Sequence, residues 1–489
     1  MLIAGIDAGT QSIKVVVYDS ERKKVAGESS SPLDLRSGSD GSREQEASWW
    51  IDALDDCFSK LDASVRSGIG LISVSGQQHG FVPVGEDGSV LSSVKLWCDT
   101  STKKECDELE AAYGGRDKLV EEIGNPILPG YTASKILHFR KAFPDLYRRM
   151  RYVLLPHDYL NYYLTGKAVM ERGDASGTGL MNIYTSRWDE RICSLISDDL
   201  VSKLPPISMN AEVIGNVDKK ASEQFGIPES ALVVSGGGDN MMSAIGTGSV
   251  SDGIVTMSLG TSGTLFATSS FPMVDRKGRL ASFASSTGMY LPLLCTMNCT
   301  VASGIMRKEM GLDVDGFDKE AASAGIGAGG LVMLPFFNGE RIPDYPHGKG
   351  VLAGMDTINV TRENIARATY EGVSYEFLLG IEAFRELGMD IKAITLTGGG
   401  SKSAFWRQLI ADLTLCPVRV PKVGEAAAFG AVLQALSVHE GRDIASVVSE
   451  HLEFDDSRSA VPDKDAHDKY IAAYGTWLGY CKALGPLFA

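Results

Sequence analysis

Leu2-Ile3-Ala4-Gly5-Ile6 runs into Asp7-Ala8-Gly9-Thr10-Gln11-Ser12 and on into a second apolar stretch over 13–18. The same design returns midway along the chain. An apolar run over 254–258 meets Leu259-Gly260-Thr261-Ser262-Gly263 and continues over 264–267. Each reads as strand, glycine-tight turn, strand. Such a turn aims backbone N–H groups and a hydroxyl at one spot, which suits an anionic phosphate. One turn in each half implies two related domains gripping a single polyphosphate. The first also carries a carboxylate, Asp7, at a strand end, where it could hold a magnesium ion.

A chain of 489 residues exceeds what one hydrophobic core supports, so two or three domains are expected. Hydrophobic residues at 44% and charged residues at 22% describe an ordinary globular protein. The formal net charge of −15 argues against nonspecific binding to nucleic acid or to an anionic membrane. ATP remains compatible with it, because local amides and Mg²⁺ do that work. The eight cysteines form no CxxC pair and no zinc spacing, which fits a reducing cytosol. The N-terminus enters a strand without a signal-peptide pattern, and no apolar run is long enough to span a bilayer. A cytoplasmic location is expected.

Working outward, a helix is expected over 47–66, with Trp49, Trp50, Leu54 and Phe58 on its apolar face. A strand over 71–75 meets Gly76-Gln77-Gln78-His79-Gly80. Helices are expected over 102–112 and 132–142, and another begins at Pro156-His157-Asp158. A strand over 232–235 ends in Gly236-Gly237-Gly238-Asp239-Asn240, followed by helix over 241–247. In the second half a long helix over 362–387 has Thr361 as its cap. A strand over 394–396 leads to Gly398-Gly399-Gly400, with Ser403 capping the next helix. An alanine-rich helix covers 426–436, and the tail reads as helical and polar. Strands alternating with helices in both halves argue α/β architecture.

Several motifs carry chemistry. Gly325-Ile326-Gly327-Ala328-Gly329-Gly330 has the GxGxxG spacing, but a strand rather than a helix follows it, so a dinucleotide fingerprint is rejected. There is no Walker A sequence. Three glycines before Asp239 are expensive in backbone entropy and imply that something approaches the backbone closely. An acid there can accept the proton of a hydroxyl attacking phosphorus, although capping of the helix accounts for an acid at that place too. Gln77, Gln78 and His79 between glycines can hydrogen-bond several hydroxyls. Trp97 with Asp99 is a stacking-plus-hydroxyl pairing suited to a sugar.

With these residues in place, the chain resembles the FGGY carbohydrate kinases of the actin, Hsp70 and hexokinase superfamily. Gly350-x-Leu352-x-Gly354-Met355, eight residues, then Asn364-Ile365-x-x-Ala368-Thr369-Tyr370-Glu371 fits the family's C-terminal signature. Gly130-Tyr131-Thr132-Ala133-Ser134-Lys135-Ile136 fits the other, with His138 where the family expects Trp. Asn338-Gly339-Glu340-Arg341-x-Pro343 looks like a conserved loop of the family. Within it the chain is most similar to the xylulokinase branch, through Gly76 to Gly80, Trp97-Cys98-Asp99-Thr100-Ser101-Thr102 and Gly238-Asp239-Asn240.

The resemblance implies two actin-like, ribonuclease-H-like domains, 1–247 and 248–489, with the active site in the cleft between them. It implies phosphorylation of a ketopentose by ATP and Mg²⁺, D-xylulose foremost, with Asp239 as base. Gln78, His79, Trp97, Asp99, Asp239 and Asn240 would line the sugar pocket. Thr10, Gln11, Ser12, Lys14, Gly260, Thr261, Gly400 and Ser401 would surround Mg-ATP, with Asp7 near the metal. A homodimer is compatible. The alternatives are another sugar or polyol substrate (L-xylulose, D-ribulose, L-fuculose, glycerol), an actin-like ATPase switch and a sugar-sensing regulator.

Overall fold

The computed structural model describes residues 1–488. Two six-stranded sheets organise it. The first comprises β1 (Leu2–Ala8), β2 (Ser12–Asp19), β3 (Lys24–Pro32), β4 (Ile69–Gly76), β5 (Val213–Asn216) and β6 (Leu232–Gly238), in the order β5-β6-β4-β1-β2-β3. β1 pairs antiparallel with β2 and parallel with β4, and β4 pairs parallel with β6. The second comprises β7 (Ile254–Leu259), β8 (Gly263–Ala267), β9 (Ala281–Ala284), β10 (Tyr290–Thr296), β11 (Ala393–Thr397) and β12 (Val418–Arg419), in the order β9-β10-β8-β7-β11-β12. β7 is antiparallel to β8 and parallel to β11, as β1 is to β2 and β4. The repeated turn therefore joins equivalent strands, since β3-β2-β1-β4-β6 of the first sheet matches β10-β8-β7-β11-β12 of the second.

The buried central strands read as near-continuous apolar runs because helices cover their faces. The main helices are α1 (Ala47–Ser59), α2 (Lys103–Tyr113), α3 (Thr132–Ala142), α4 (Pro156–Thr165), α5 (Asp239–Gly246), α6 (Arg362–Glu386), α7 (Ala404–Thr414), α8 (Ala426–Glu440) and α9 (Lys464–Leu484). Residues between β4 and β5 build a helical insertion whose own core includes Phe81, Leu109, Ile136 and Phe139.

Two helices lie between the sheets, α5 from the first half and α8 from the second. They cross backbone on backbone. A Cβ on Gly430 would fall 1.8 Å from the Met242 carbonyl oxygen, and one on Gly246 would fall 1.9 Å from that of Ala426. On its other side α8 meets β1, where a Cβ on Gly5 would lie 2.0 Å from the Ala428 carbonyl oxygen. One core cluster accordingly joins Ile3 and Leu71 of the first sheet, Met242 of α5, Phe429 of α8 and Phe266 and Leu293 of the second sheet.

Three expectations need correction. The helix over 47–66 stops at Ser59 and resumes only as a single turn, Ala63–Arg66. Trp49 is half-buried beneath the Arg36 guanidinium instead of joining the core. The tail is not uniformly polar, since Tyr470, Tyr474, Trp477 and Cys481 on α9 are buried at helical spacing. As read from sequence, the Gly325 to Gly330 run precedes a strand, Val332–Pro335.

Candidate active site

The first turn places Asp7 at the end of β1, where its carboxylate accepts a hydrogen bond from Ser75 Oγ at 2.9 Å. Burial outweighs that bond and the nearby Lys14 charge, and pushes the Asp7 carboxyl up to about 6. Lys14 reaches across the cleft to Glu425, with Nζ 2.6 Å from Oε2. Gly9 N–H closes the turn on the Ser12 carbonyl at 3.1 Å, and Gln11 is exposed beyond it. Thr10 Oγ1 donates to Gln77 Oε1 at 3.0 Å and accepts from Trp97 Nε1 at 2.9 Å. That hydroxyl ties the phosphate-type turn to the Gln77 loop and the indole, so the two expected sites are one connected surface.

Asp239 opens α5 directly after β6. Its Oδ1 accepts from the Asn240 backbone N–H at 2.8 Å and from Asn240 Nδ2 at 3.0 Å. Burial, reinforced by the negative charges of Asp7 and Asp174, raises its carboxyl to about 8. Asn240 Nδ2 also donates to Gln78 Oε1 at 2.8 Å, which leaves the buried Gln78 Nε2 without a partner. The glycine run before Asp239 does receive close neighbours, and they belong to the protein. A Cβ on Gly236 would lie 1.9 Å from the Val74 carbonyl oxygen, and one on Gly238 2.8 Å from Gln78 Cγ.

His79 has a left-handed backbone, φ 63°, a conformation costly for a non-glycine residue. Its carbonyl accepts from Lys135 Nζ at 2.8 Å and Thr132 Oγ1 at 3.2 Å, and the buried Asp174 carboxyl lies near its backbone N–H. His157 lies 2.9 Å from both Asp174 and Asp158 and is held charged by them, well above its ordinary value despite burial. The His79 ring packs on Tyr131 and Phe283 with centroids at 4.9 and 5.5 Å, and against Gly177, where a Cβ would lie 2.0 Å from Cε1. Burial and the Lys135 and Arg341 charges keep the imidazole neutral, and its buried Nδ1 has no partner. Gln78 Nε2, linked to the Asp239 carboxyl through Asn240, and His79 Nδ1, against Gly177, thus keep hydrogen-bonding capacity to spare among the described residues.

In the second half the Gly260 and Gly398 turns abut. A Cβ on Gly398 (φ 76°) would fall 2.6 Å from the Leu259 carbonyl oxygen and 3.0 Å from Gly260 N. The Gly260 carbonyl accepts from Thr300 N and Oγ1, which fixes the turn while the Thr261 side chain stays exposed.

Comparison with known proteins now bears on this cleft. Residues 2–246 match the family model for the FGGY family of carbohydrate kinases, N-terminal domain, and residues 255–438 match the C-terminal domain of the same family. The chain belongs to the FGGY carbohydrate kinases. It is 39% identical to a xylulose kinase of Haemophilus influenzae, over 98% of this chain and 99% of that one. It is 34% identical to a xylulose kinase of Streptomyces coelicolor, over 91% of this chain and 90% of the relative. Among solved structures, one described as a xyloylose kinase from Brucella ovis superposes with a TM-score of 0.92 at 27% identity, covering 100% of both chains. The chain is therefore a phosphotransferase that uses ATP to phosphorylate an alcohol group of a sugar.

Two of the expected contacts of this kinase are spent on the protein itself. The fully buried Asp99 accepts from Arg43 N, Lys95 Nζ, Ser101 N and Ser101 Oγ, which fills its lone-pair directions. Buried Ser401 donates its hydroxyl to the Gly398 carbonyl at 2.8 Å, while its own carbonyl accepts from Arg407 and Arg458. Gly400 packs on the Trp406 ring. Sequence reasoning passed over His157, Asp174, Lys135 and Arg341 as site residues. Three were in plain view, in the Pro156-His157-Asp158 helix start, the Thr132 to Lys135 motif and the Gly339 loop. Asp174 carries no local signal, because only the fold brings it to His79. No helix is long and apolar enough to cross a membrane among the described residues.

Proposed function

We propose that the chain phosphorylates D-xylulose to D-xylulose 5-phosphate, with Asp239 as the general base. The observation that carries this reading is the Asp239 carboxyl at the first turn of α5, pushed up to about 8 and flanked by the Gln78 amide. A base with a pKa near the working pH is suited to taking a hydroxyl proton. As the terminal hydroxyl oxygen of the ketose attacks the γ-phosphorus, its proton passes to Asp239 and the bond to the β-phosphate oxygen breaks, releasing ADP. Gln78, His79 and Asn240 orient the ketose by hydrogen bonds, and Trp97 forms a wall of the pocket. Asp99 acts indirectly, by fixing the loop from Lys95 to Ser101 that carries Trp97.

The domain division is placed at 247/248, although α8 packs back onto the first sheet. Thr10, Gln11, Ser12 and Lys14 face ATP from the first domain, and the Gly260-Thr261 and Gly400-Ser401 turns face it from the second. The residues present suit a magnesium ion. Asp7 is close enough for its charge to raise Asp239, while Lys14 is engaged by Glu425. No cluster of three or more His, Cys, Asp or Glu side chains could hold a metal by itself among the described residues. That fits an ion bound through a carboxylate and substrate phosphates. Asp7 would hold it, and when bound it neutralises charge developing on the phosphates. The eight free cysteines support a reducing, cytoplasmic setting.

The test is an ADP-coupled comparison of kcat/KM over ketoses and polyols. D-xylulose is expected to lead, and Asp239→Ala to abolish turnover while ATP binding persists. A polyol or another ketose well ahead of D-xylulose would overturn the substrate assignment. Near-wild-type turnover by Asp239→Ala would overturn the assignment of the base.

A further inference from the structure

The Gly339 loop of the second half reaches into the site from a heavily anchored base. Glu340 accepts hydrogen bonds from Met297 N at 2.7 Å, Asn298 Nδ2 at 2.9 Å and Arg341 N at 2.7 Å. Behind it, Glu376 on α6 is completely buried and neither of its oxygens meets a donor. Two ionised carboxylates would not share such a place. Burial and the neighbouring Glu340 push the Glu376 carboxyl well above its ordinary value, so it carries a proton and donates it in a hydrogen bond to Glu340. The result is one negative charge on Glu340 with four donors turned toward it, a rigid clamp at the residue before Arg341.

Arg341 is the reverse case. Its side chain is exposed, its guanidinium lies 5.8 Å from the centroid of the Trp97 ring across the cleft, and its hydrogen-bond partner is the Cys295 sulfur at 3.5 Å. No carboxylate lies within ion-pair distance of it among the described residues. Its positive charge reaches His79 and Tyr131 of the first half. Cys295 in turn feels both Arg341 and Asp239. An unpaired guanidinium beside the sugar-facing indole, bonded to a cysteine that feels the charge of the base, in a chain of net charge −15, is set up to receive an anion.

We propose that Arg341, delivered from the second domain by the Glu340–Glu376 clamp, binds the phosphoryl group during its transfer to the sugar and on the phosphorylated product. This rests on the sugar-phosphorylation reading above. It assigns catalysis to a residue outside the phosphate turns and a positioning role to Glu376. A guanidinium matches the equatorial oxygens of a transferring phosphoryl group by paired hydrogen bonds, and Lys supplies charge without that fork.

Arg341→Met is expected to lower kcat on the order of 10²–10³-fold. The KM values for sugar and ATP should stay within about threefold, a split that marks an interaction made chiefly in the transition state. By calorimetry, D-xylulose 5-phosphate should bind Arg341→Met at least about tenfold more weakly, while D-xylulose binds as before. Arg341→Lys should recover part of the loss. Glu376→Gln can still donate to Glu340 and should stay near wild type, whereas Glu376→Leu and Glu340→Gln should shift kcat and product affinity in the direction of Arg341→Met. Wild-type turnover of D-xylulose decides the ketose reading separately, and the Arg341 comparison uses whichever sugar the wild type phosphorylates, with its phosphate. Arg341→Met with kcat and product affinity within twofold of wild type would overturn the phosphoryl role. Glu376→Leu and Glu340→Gln both indistinguishable from wild type would overturn the clamp.

Discussion

Replacing Gly430 with Ala tests the helix crossing that carries the base. The new Cβ would sit 1.8 Å from the Met242 carbonyl oxygen, whereas ordinary contact begins at 3.4 Å, so α8 and α5 must separate by about 1.6 Å. Neither neighbour can yield by rotating a side chain, because the clash is backbone against backbone. α8 is also pinned from behind at Gly5, where a Cβ on that residue would already be 2.0 Å from the Ala428 carbonyl oxygen. The displacement therefore falls on α5, whose first residue is Asp239, one turn before Met242. Overpacking of this kind costs about 3 kcal/mol at the upper end of its usual range. A shift of the base by about 1 Å is worth on the order of 10² in rate.

Gly430→Ala should therefore lower kcat about 10²-fold in an ADP-coupled assay and lower the urea midpoint, with wild-type far-UV circular dichroism. Gly475→Ala is the control. It lies within α9, and its Cβ would meet nothing within 4 Å, so it should be neutral or stabilise by up to about 1 kcal/mol. If Gly430→Ala kept kcat within twofold and the same urea midpoint, the crossing would not be what positions Asp239.

Two further perturbations probe the site's charges. Because the Asp239 carboxyl is raised to about 8, the logarithm of kcat/KM should climb with unit slope as pH rises toward 8 and then level, with a second inflection near 6 from the coupled Asp7. The native state then binds more protons than the unfolded chain between about pH 4 and 8, so this group lowers stability as pH rises through that window. Asp239→Asn should remove the unit-slope limb and be more stable than wild type at pH 8, and a flat wild-type profile from pH 6 to 8 would count against a raised base. His157→Leu leaves Asp158 and Asp174 buried without their shared cation, and should cost about 3–5 kcal/mol in chemical denaturation. A loss below about 1 kcal/mol would mean that the acids are already protonated in the native state.

What was legible in the sequence follows from how local the cause is. The paired turns at Gly9 and Gly260 announce themselves because a tight turn between two buried strands needs glycine and small polar residues within a few positions. Thr361 and Ser403 declare the starts of α6 and α7 because capping is a contact between residues three apart, and both caps are made. The polar reading of the tail failed for the opposite reason. Four buried side chains spread over α9 are diluted by Lys and Asp, and only the partner surface on α6 and the Val332–Pro335 strand reveals the stripe. The glycine run before Asp239 was rightly read as a place of close approach, yet nothing in one sequence says what approaches. Val74 and Gln78 do so, and the run is the backbone's accommodation to β4. Asp99 and Ser401 show the complementary limit: a polar residue at the right spacing beside a pocket can be consumed by the loop that builds it. Asp99 accepts four protein donors and Arg341 pairs with no acid among the described residues, although both stand near Trp97. Spare bonding capacity, rather than residue type, separates the groups left for a substrate from those holding its walls, and that capacity exists only once the chain has folded.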